Sequence, residues 1–326
     1  MALFLTYDAE AQQDGIGAQL IRIFGIYSIS RAFRIGYIHT PILNIIEEVS
    51  HNLKSEKASQ NFKAKVNDYF QIDSFSPIKI DSVKIYKHLS LWQLLKLIIA
   101  YKHSKSCVVV KVLYPFKITD RIPNIYKYFK NYFWEKYADK LRITPGIVAH
   151  VRFGYGFLYS DEVNMRAKHL PLSYFRDIIK HLQHHFLHTT KPNITVHTDL
   201  KRYSEIWTPA QHEIAKHLKG SNGGQDSVYI PGVDLQQKLR LPLDNITIVK
   251  YSDDFFDTFY EMCTAEIFVM SRSALSYLAA IINPNLVIYP ENHGHASLPE
   301  WVSSRRFLKA YYPLIHEADI ETFLLS

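Results

Sequence analysis

Residues 147–156, IVAHVRFGYG, join an apolar run to His150, Arg152, Gly154 and Gly156. A guanidinium is permanently charged and presents a planar fork of donors suited to a phosphate. Glycines beside it let the backbone approach a ligand. The competing reading is an arginine paired with a core carboxylate. Three other stretches carry comparable chemistry. In DAEAQQDGIGAQ, residues 8–19, Gly15 and Gly17 remove side chains where a helix would begin, so backbone N–H groups there could face an anion or a sugar. Their spacing is not the dinucleotide fingerprint, and a purely structural turn fits as well. In ITVHTDL, His197 and Asp199 end an apolar run, and Asp199 either meets a ligand or caps the next turn. In IFVMSRSALSYLAA, Ser271 and Ser273 open a helical pattern. Their hydroxyls and the unpaired N–H groups of the first turn make either a phosphate cradle or a simple N-cap. Arg272 belongs to the same donor-side turn, with its side chain expected to point away from the phosphates.

These residues need elements to hold them, and hydrophobic periodicity supplies the outline. ALFLT, IGYIHT, CVVVKVLYP, GIVAHVR, ITVHT, ITIVKY, IFVMS and LVIYP read as strands. IGAQLIRIFGIYSISRAF, LWQLLKLIIAY, residues 123–139, DDFFDTFYEMC and SALSYLAAII read as helices. PLSYFRDIIKHLQHHF is a helix opened by Pro171, and TPAQHEIAKHL one capped by Thr208 with Pro209 at its first position. Apolar strands alternating with helices imply parallel sheets covered on both faces. The pattern lapses between about 50 and 85 and again near 115–122, and the tail is irregular. A boundary near 145 divides the chain into 1–145 and 146–326, each doubly wound. In such sheets ligands sit at the carboxyl ends of strands, where all four candidate stretches fall.

Composition sets the bounds. The chain has 326 residues, of which 47% are hydrophobic, enough for more than one core. No apolar run is long enough for a membrane-spanning helix, and MALFLTYDAE lacks the basic start of a signal peptide. Cys107 and Cys263 both lie in apolar segments, so a disulfide framework is not indicated and a reducing cytosol fits best. No Cys/His spacing resembles a zinc site; SDD at 252–254 reads as a helix cap. His181, His184, His185 and His188 read as surface histidines. The net charge is +7, and basic residues interleave with tyrosines between 102 and 142. Such a stretch binds nucleic acid, an anionic membrane surface or an anionic glycan, or is a solvated helix whose aromatics pack inward. No nucleic-acid-binding signature accompanies it, so nucleic acid is not an expected partner.

The order of the four stretches resembles the fucosyltransferases that use GDP-fucose: the bacterial α-1,2 enzymes, the α-1,6 enzymes with the nodulation type, and the protein O-fucosyltransferases. DGIGAQLIRIFGIYSISRAF resembles that family's opening G-x-G-N-Q-x-x-R segment, and HVRFGYG its His-x-Arg motif in the nodulation-type form. VHTD resembles its strand ending in Ser-Asp, HLPLSYF its His-Pro-x-x-x-Tyr stretch, and DTFYEMCTAEIFVMSRSALSYLAAIINPNLVIYP its Ser-rich strand–helix block. The likeness is patchy before 145 and good over about 146–290. Three positions depart from the pattern: Phe153 stands for a second Arg, Tyr155 for an acidic residue, and Ala18 for Asn.

The resemblance implies an α/β glycosyltransferase of GT-B type, with two Rossmann-like halves facing a cleft. The first half would take the acceptor and the second the donor. Arg152 would grip the donor diphosphate and stabilise charge on the leaving nucleotide, with His150, Gly154, Ser271, Ser273 and the helix N-terminus beside it and Asp199 near the nucleotide. Arginine and helix N–H groups would then replace a divalent metal, and no cofactor beyond the donor is expected. Inverting transfer needs a base, for which Glu162 or Asp161 lies at suitable spacing beyond Arg152, with His150 as second choice. The acceptor is expected to be a glycan, anionic or lipid-linked, and a cytoplasmic enzyme touching a membrane surface fits that acceptor. The departures keep two alternatives open: a different nucleotide sugar, or a non-catalytic nucleotide- or glycan-binding module of the same fold. ENHGHASLPEW, residues 291–301, either lines the cleft through His293 and His295 or crosses back over the surface.

Overall fold

The computed structural model describes residues 3–11, 14–44, 56–74, 79–152, 170–186, 193–198, 247–251 and 254–311. The chain divides into a first unit, Met1–Ala138 with His295–Pro299, and a second, Asp139–Gly294 with Glu300–Ser326. The division thus falls at 138 rather than near 145. Residues before the first strand of the second unit are already held there: Arg142 N–H donates to Tyr260 Oη at 3.0 Å.

The first unit runs β1 (Leu3–Tyr7), α1 (Ile16–Ala32), β2 (Gly36–Tyr37), α2 (Glu56–Tyr69), β3 (Ser82–His88), α3 (Leu91–Tyr101), β4 (Val108–Tyr114), α4 (Phe116–Thr119) and α5 (Lys127–Lys136). Its sheet has the order β2-β1-β4-β3, and all its pairings are parallel. The Val-rich β4 and the apolar β1 are its buried centre. α1 is apolar nearly all round and is correspondingly buried, with Phe24 stacked on Phe129 of α5 at 3.5 Å between ring centroids. Phe129 and Phe133 of the basic-aromatic stretch therefore point inward, while Lys127 and Lys136 stay exposed. β3 and α2 fall where the periodicity lapses; β3 is an edge strand with little buried side chain, and α2 carries few apolar residues.

The second unit runs β5 (Thr144–Val151), α6 (Leu172–Phe186), β6 (Ile194–Thr198), β7 (Thr247–Tyr251), α7 (Phe255–Thr264), β8 (Ala265–Val269), α8 (Ala274–Ile282), β9 (Leu286–Tyr289), β10 (Val302–Ser303) and α9 (Ser304–Tyr311). The order is β10-β9-β8-β5-β6-β7, again all parallel. The winding goes outward from β5 through β6 to β7, then returns to β8 on the other side of β5. Right-handed crossovers then place α6 on one face and α7 and α8 on the other. One face buries Ile147, Ala149, Val151, Ile194 and Val196 against Phe175, Ile178 and Leu182 of α6 and Phe307 of α9. His181 lies in this layer, 5% exposed, and packs against Phe307, so it is not a surface histidine. As far as Tyr311 the tail is not irregular: β10 and α9 complete the sheet and its cover. The alternate residues of β5 and β6 face α7 and α8, and these carry the polar groups considered next.

Candidate functional site

In the second unit the strand order reverses between β5 and β8. An open parallel sheet binds ligands in the crevice outside its carboxyl ends at such a reversal, because the loops diverge to opposite faces there. β5 ends at Val151, so Arg152 is the first residue beyond it, and β8 ends at Val269, so Met270–Ser273 is the matching turn. Arg152 is exposed, and among the described residues no carboxylate pairs with its guanidinium.

The serine turn is held from within. Ser273 is the N-cap of α8 and accepts the Ser276 N–H at 3.0 Å. Ser276, wholly buried in the first turn of an otherwise apolar helix, turns its hydroxyl back toward β5 and accepts the Ser271 N–H at 3.2 Å. Its Oγ lies 2.6 Å from His150 Nδ1 and 3.0 Å from Ser271 Oγ. Ser271 Oγ is 3.3 Å and Ser273 Oγ 3.5 Å from the same ring nitrogen. One imidazole on β5 therefore gathers three hydroxyls from α8 and its approach. Burial lowers the His150 pKa to about 3, with the nearby charge of Arg152 and then His197 pushing the same way. A neutral ring costs far less to bury than an imidazolium, so the cluster exists as uncharged, mutually bonded groups.

Other residues brace this corner. Tyr174, at the start of α6, donates from Oη to the Met270 carbonyl at 3.2 Å; its burial holds it as a phenol. Met270 N–H donates to Ile288 O at 2.9 Å. Arg272 directs Nε and Nη2 to the Glu291 carbonyl, at 3.2 and 3.0 Å, so its fork closes the turn rather than reaching outward. His197, the register partner of His150, places Nε2 2.8 Å from Glu261 Oε2 of α7. Both serine hydroxyls proposed for a cradle are thus committed inside the protein, each under 5% exposed. What faces outward is the start of α8, whose free N–H groups and dipole favour an anion, and Arg152 beside it.

Gly15 and Gly17 belong to the first unit. Gly15 is the N-cap residue of α1, and its N–H is taken by Asp14 Oδ1 at 2.8 Å. Asp14 also bonds Arg22, whose guanidinium lies 4.6 Å over the Tyr114 ring, and Gln19 Nε2 donates to Asp14 O and Asn44 O at 2.7 Å each. The Gln and Arg of the G-x-G-N-Q-x-x-R likeness hold the loop in shape. A Cβ on Gly15 would meet nothing within 4 Å, so space beside this helix start is open. His293 packs on Tyr277 and Trp301 in the second unit, whereas His295 lies in the first, 3.7 Å from Asp120. Gly154, Asp161, Glu162, Asp199, His188 and the TPAQHEIAKHL segment lie outside the described residues. Ser276 was not anticipated; the available signal was a serine inside the apolar run ALSYLAAII, which needs a partner if the run is buried. Among the described residues no group of three His, Cys, Asp or Glu side chains is arranged to hold a metal ion, and no helix is long and apolar enough to cross a membrane.

No protein-family profile and no curated protein sequence matches the chain. Among solved structures it is similar to E. coli heptosyltransferase WaaC with ADP-2-deoxy-2-fluoro heptose, at 12% identity over 93% of this chain and 92% of that one, TM-score 0.38. It is similar to POFUT1 in complex with GDP-fucose at 10% identity over 93% and 97% of the chains, TM-score 0.43. It is also similar to E. coli ADP-heptose lps heptosyltransferase II at 10% identity over 100% and 99%, TM-score 0.35. Likenesses this distant say nothing of activity.

Proposed function

We propose that this chain transfers a sugar from a nucleoside diphosphate sugar to a glycan hydroxyl, with inversion and without a metal. The observation that carries the reading is an exposed arginine one residue beyond β5, next to the N-terminus of α8, at the reversal of strand order. A diphosphate there would meet a permanently charged fork and unpaired helix N–H groups. Both interactions strengthen as the departing nucleotide gains charge, which is how a fixed site lowers the barrier. The cluster of His150 with Ser271, Ser273 and Ser276 supports this as a rigid, uncharged floor that keeps the helix start in place. Motif order favours GDP-fucose as donor, and Asp161 or Glu162 as the base that takes the acceptor proton.

The test is titration of the full chain with GDP, ADP and UDP, with and without EDTA, followed by turnover assays with the corresponding sugars. GDP is expected to bind and raise the Tm equally with and without EDTA. Arg152→Lys keeps the charge but loses the fork, and should lower kcat by about a hundredfold or more, since one such donor is worth about 2.7–4 kcal/mol. A folded Arg152→Lys protein with near wild-type turnover would make Arg152 a bystander. Nucleotide binding without turnover of any sugar would leave a binding module, and nucleotide binding that EDTA abolishes would sink the metal-free mechanism.

A further inference from the structure

Of the eight large apolar side chains that stand exposed among the described residues, five are Ile80, Val83, Ile85, Trp92 and Ile99. Val83 and Ile85 stand on the edge strand β3, and Trp92 and Ile99 on the helix α3 that follows it. The last turn of α3 covers the Lys84 face of β3, because Lys84 Nζ sits 5.4 Å from the centroid of the Tyr101 ring; Val83 and Ile85 alternate with Lys84 and point to the other face of the sheet. Along α3, Trp92, Lys96 and Ile99 recur at four- and three-residue spacing and so form a single stripe. Trp92 is 66% and Ile99 75% exposed, with Lys96 Nζ 5.3 Å over the Trp92 ring. The opposite side of the helix buries Leu94 and Leu97, so the stripe is a second apolar face on a helix already packed. Such a face on a soluble chain marks an interaction surface.

Charge says what would cover it. Residues 79–106 contain six lysines, no arginine and one acid, Asp81. That acid is spent: it accepts the Cys107 N–H at 2.6 Å and lies 3.7 Å from Lys79. Exposed aliphatics and a tryptophan among point-charge ammonium groups match a lipid interface, where apolar side chains enter the headgroup boundary and lysines meet anionic heads. A second copy paired edge to edge through β3 would set Lys84 and Lys87 against the same lysines, which opposes it. Nucleic acid favours arginine forks and stacked aromatics over isoleucine.

We infer that the outer stripe of α3 docks on an anionic lipid bilayer. The surface lies wholly in the first unit and does not rest on the donor reading. It also shifts the expected membrane contact away from α5, whose Phe129 and Phe133 are buried, to α3.

The full chain is to be sedimented with vesicles of phosphatidylcholine alone and with added phosphatidylserine, across a salt series. Binding is expected only with phosphatidylserine and is expected to fall as salt rises. Reversal of Lys96, Lys102 and Lys105 to Glu should lower partitioning on the order of a hundredfold, at about fivefold per lysine. Lys127→Glu on α5 should leave it unchanged. Vesicles with brominated acyl chains should quench tryptophan fluorescence in the wild type and much less in Trp92→Phe, a readout independent of any charge variant's folding. Equal binding to both vesicle types, no binding to either, or quenching untouched by Trp92→Phe overturns the inference. So does a concentration-dependent dimer that the lysine reversals dissolve, or oligonucleotide binding through the same lysines with no quenching by lipid.

Discussion

Ser276 is the residue on which the candidate site turns. Its hydroxyl is shared by the Ser271 N–H, the Ser271 hydroxyl and the His150 ring, all buried. Ser276→Ala leaves a backbone donor and a ring nitrogen without that partner, and stranding a buried polar group costs about 1–3 kcal/mol. The expected result is a loss of that size in chemical denaturation, with weaker nucleotide binding as the Ser271–Ser273 turn loosens. A variant as stable as the wild type, with unchanged binding, would show that water or a neighbour replaces the hydroxyl without consequence. At this scale the sequence exposes Arg152, His150 and the two flanking serines through type and position alone. It hides which of them are spent inside the protein. Ser271 and Ser273 read equally well as ligands and as a cap, and only the 2.6–3.5 Å spacing around His150 decides that their hydroxyls are occupied. His181 misleads for the converse reason: a histidine on an amphipathic helix looks solvated until a later helix, α9, covers it.

At the scale of elements, β5 sets the site because its end presents both His150 and Arg152, and Gly146 near its start sets β5. Gly146 has φ +98°, and a Cβ there would come within 2.2 Å of the Asn193 carbonyl oxygen, just before β6. The following Ile147 N–H bonds that same oxygen at 2.8 Å, so the two strands are drawn together at this point. Gly146→Ala meets both a left-handed backbone, worth about 1–2 kcal/mol, and a clash with backbone rather than with a flexible side chain. The expected outcome is a drop in stability of at least that size, read as a lower denaturation midpoint. A shift near zero would mean that the loop before β6 yields easily. Core strands and their helices are legible because burial on both faces demands continuous apolar runs, as in VVVKVLY, LVIY and ALSYLAAII. β3 is not: as an edge strand it has one partner and few buried side chains, so neither an apolar run nor a clean alternation marks it. α2 escapes similarly, since its sequence EKASQNFKAKVNDY gives up only Val66 fully to the core.

At the scale of the whole chain, each unit keeps a histidine neutral by burying it. Burial lowers His39 in the first unit to about 4, with the Lys136 charge adding to it, and lowers His150 in the second to about 3. Both values lie below the ordinary 6.5 of the unfolded chain. The unfolded state therefore binds more protons once the pH falls below 6.5, and acid favours it. Stability is complete above about 6.5 and is lost as the pH drops toward 4 for His39 and toward 3 for His150. Each histidine contributes a slope of up to about 1.36 kcal/mol per pH unit inside its window. Carboxylates titrate in the lower part of the same range, so the test compares each protein with a variant that lacks the ring. Denaturation at pH 7, 6 and 5 should show the wild type losing stability relative to His150→Gln and to His39→Gln as the pH falls. At pH 7 both variants should be the less stable, because His150 Nδ1 faces three hydroxyls and His39 Nδ1 lies 3.1 Å from Tyr37 Oη. A gap between wild type and variant that stays constant from pH 7 to 5 would mean that these rings take up protons in the folded state as readily as in the unfolded one, and the neutral floor assigned to the site would be wrong.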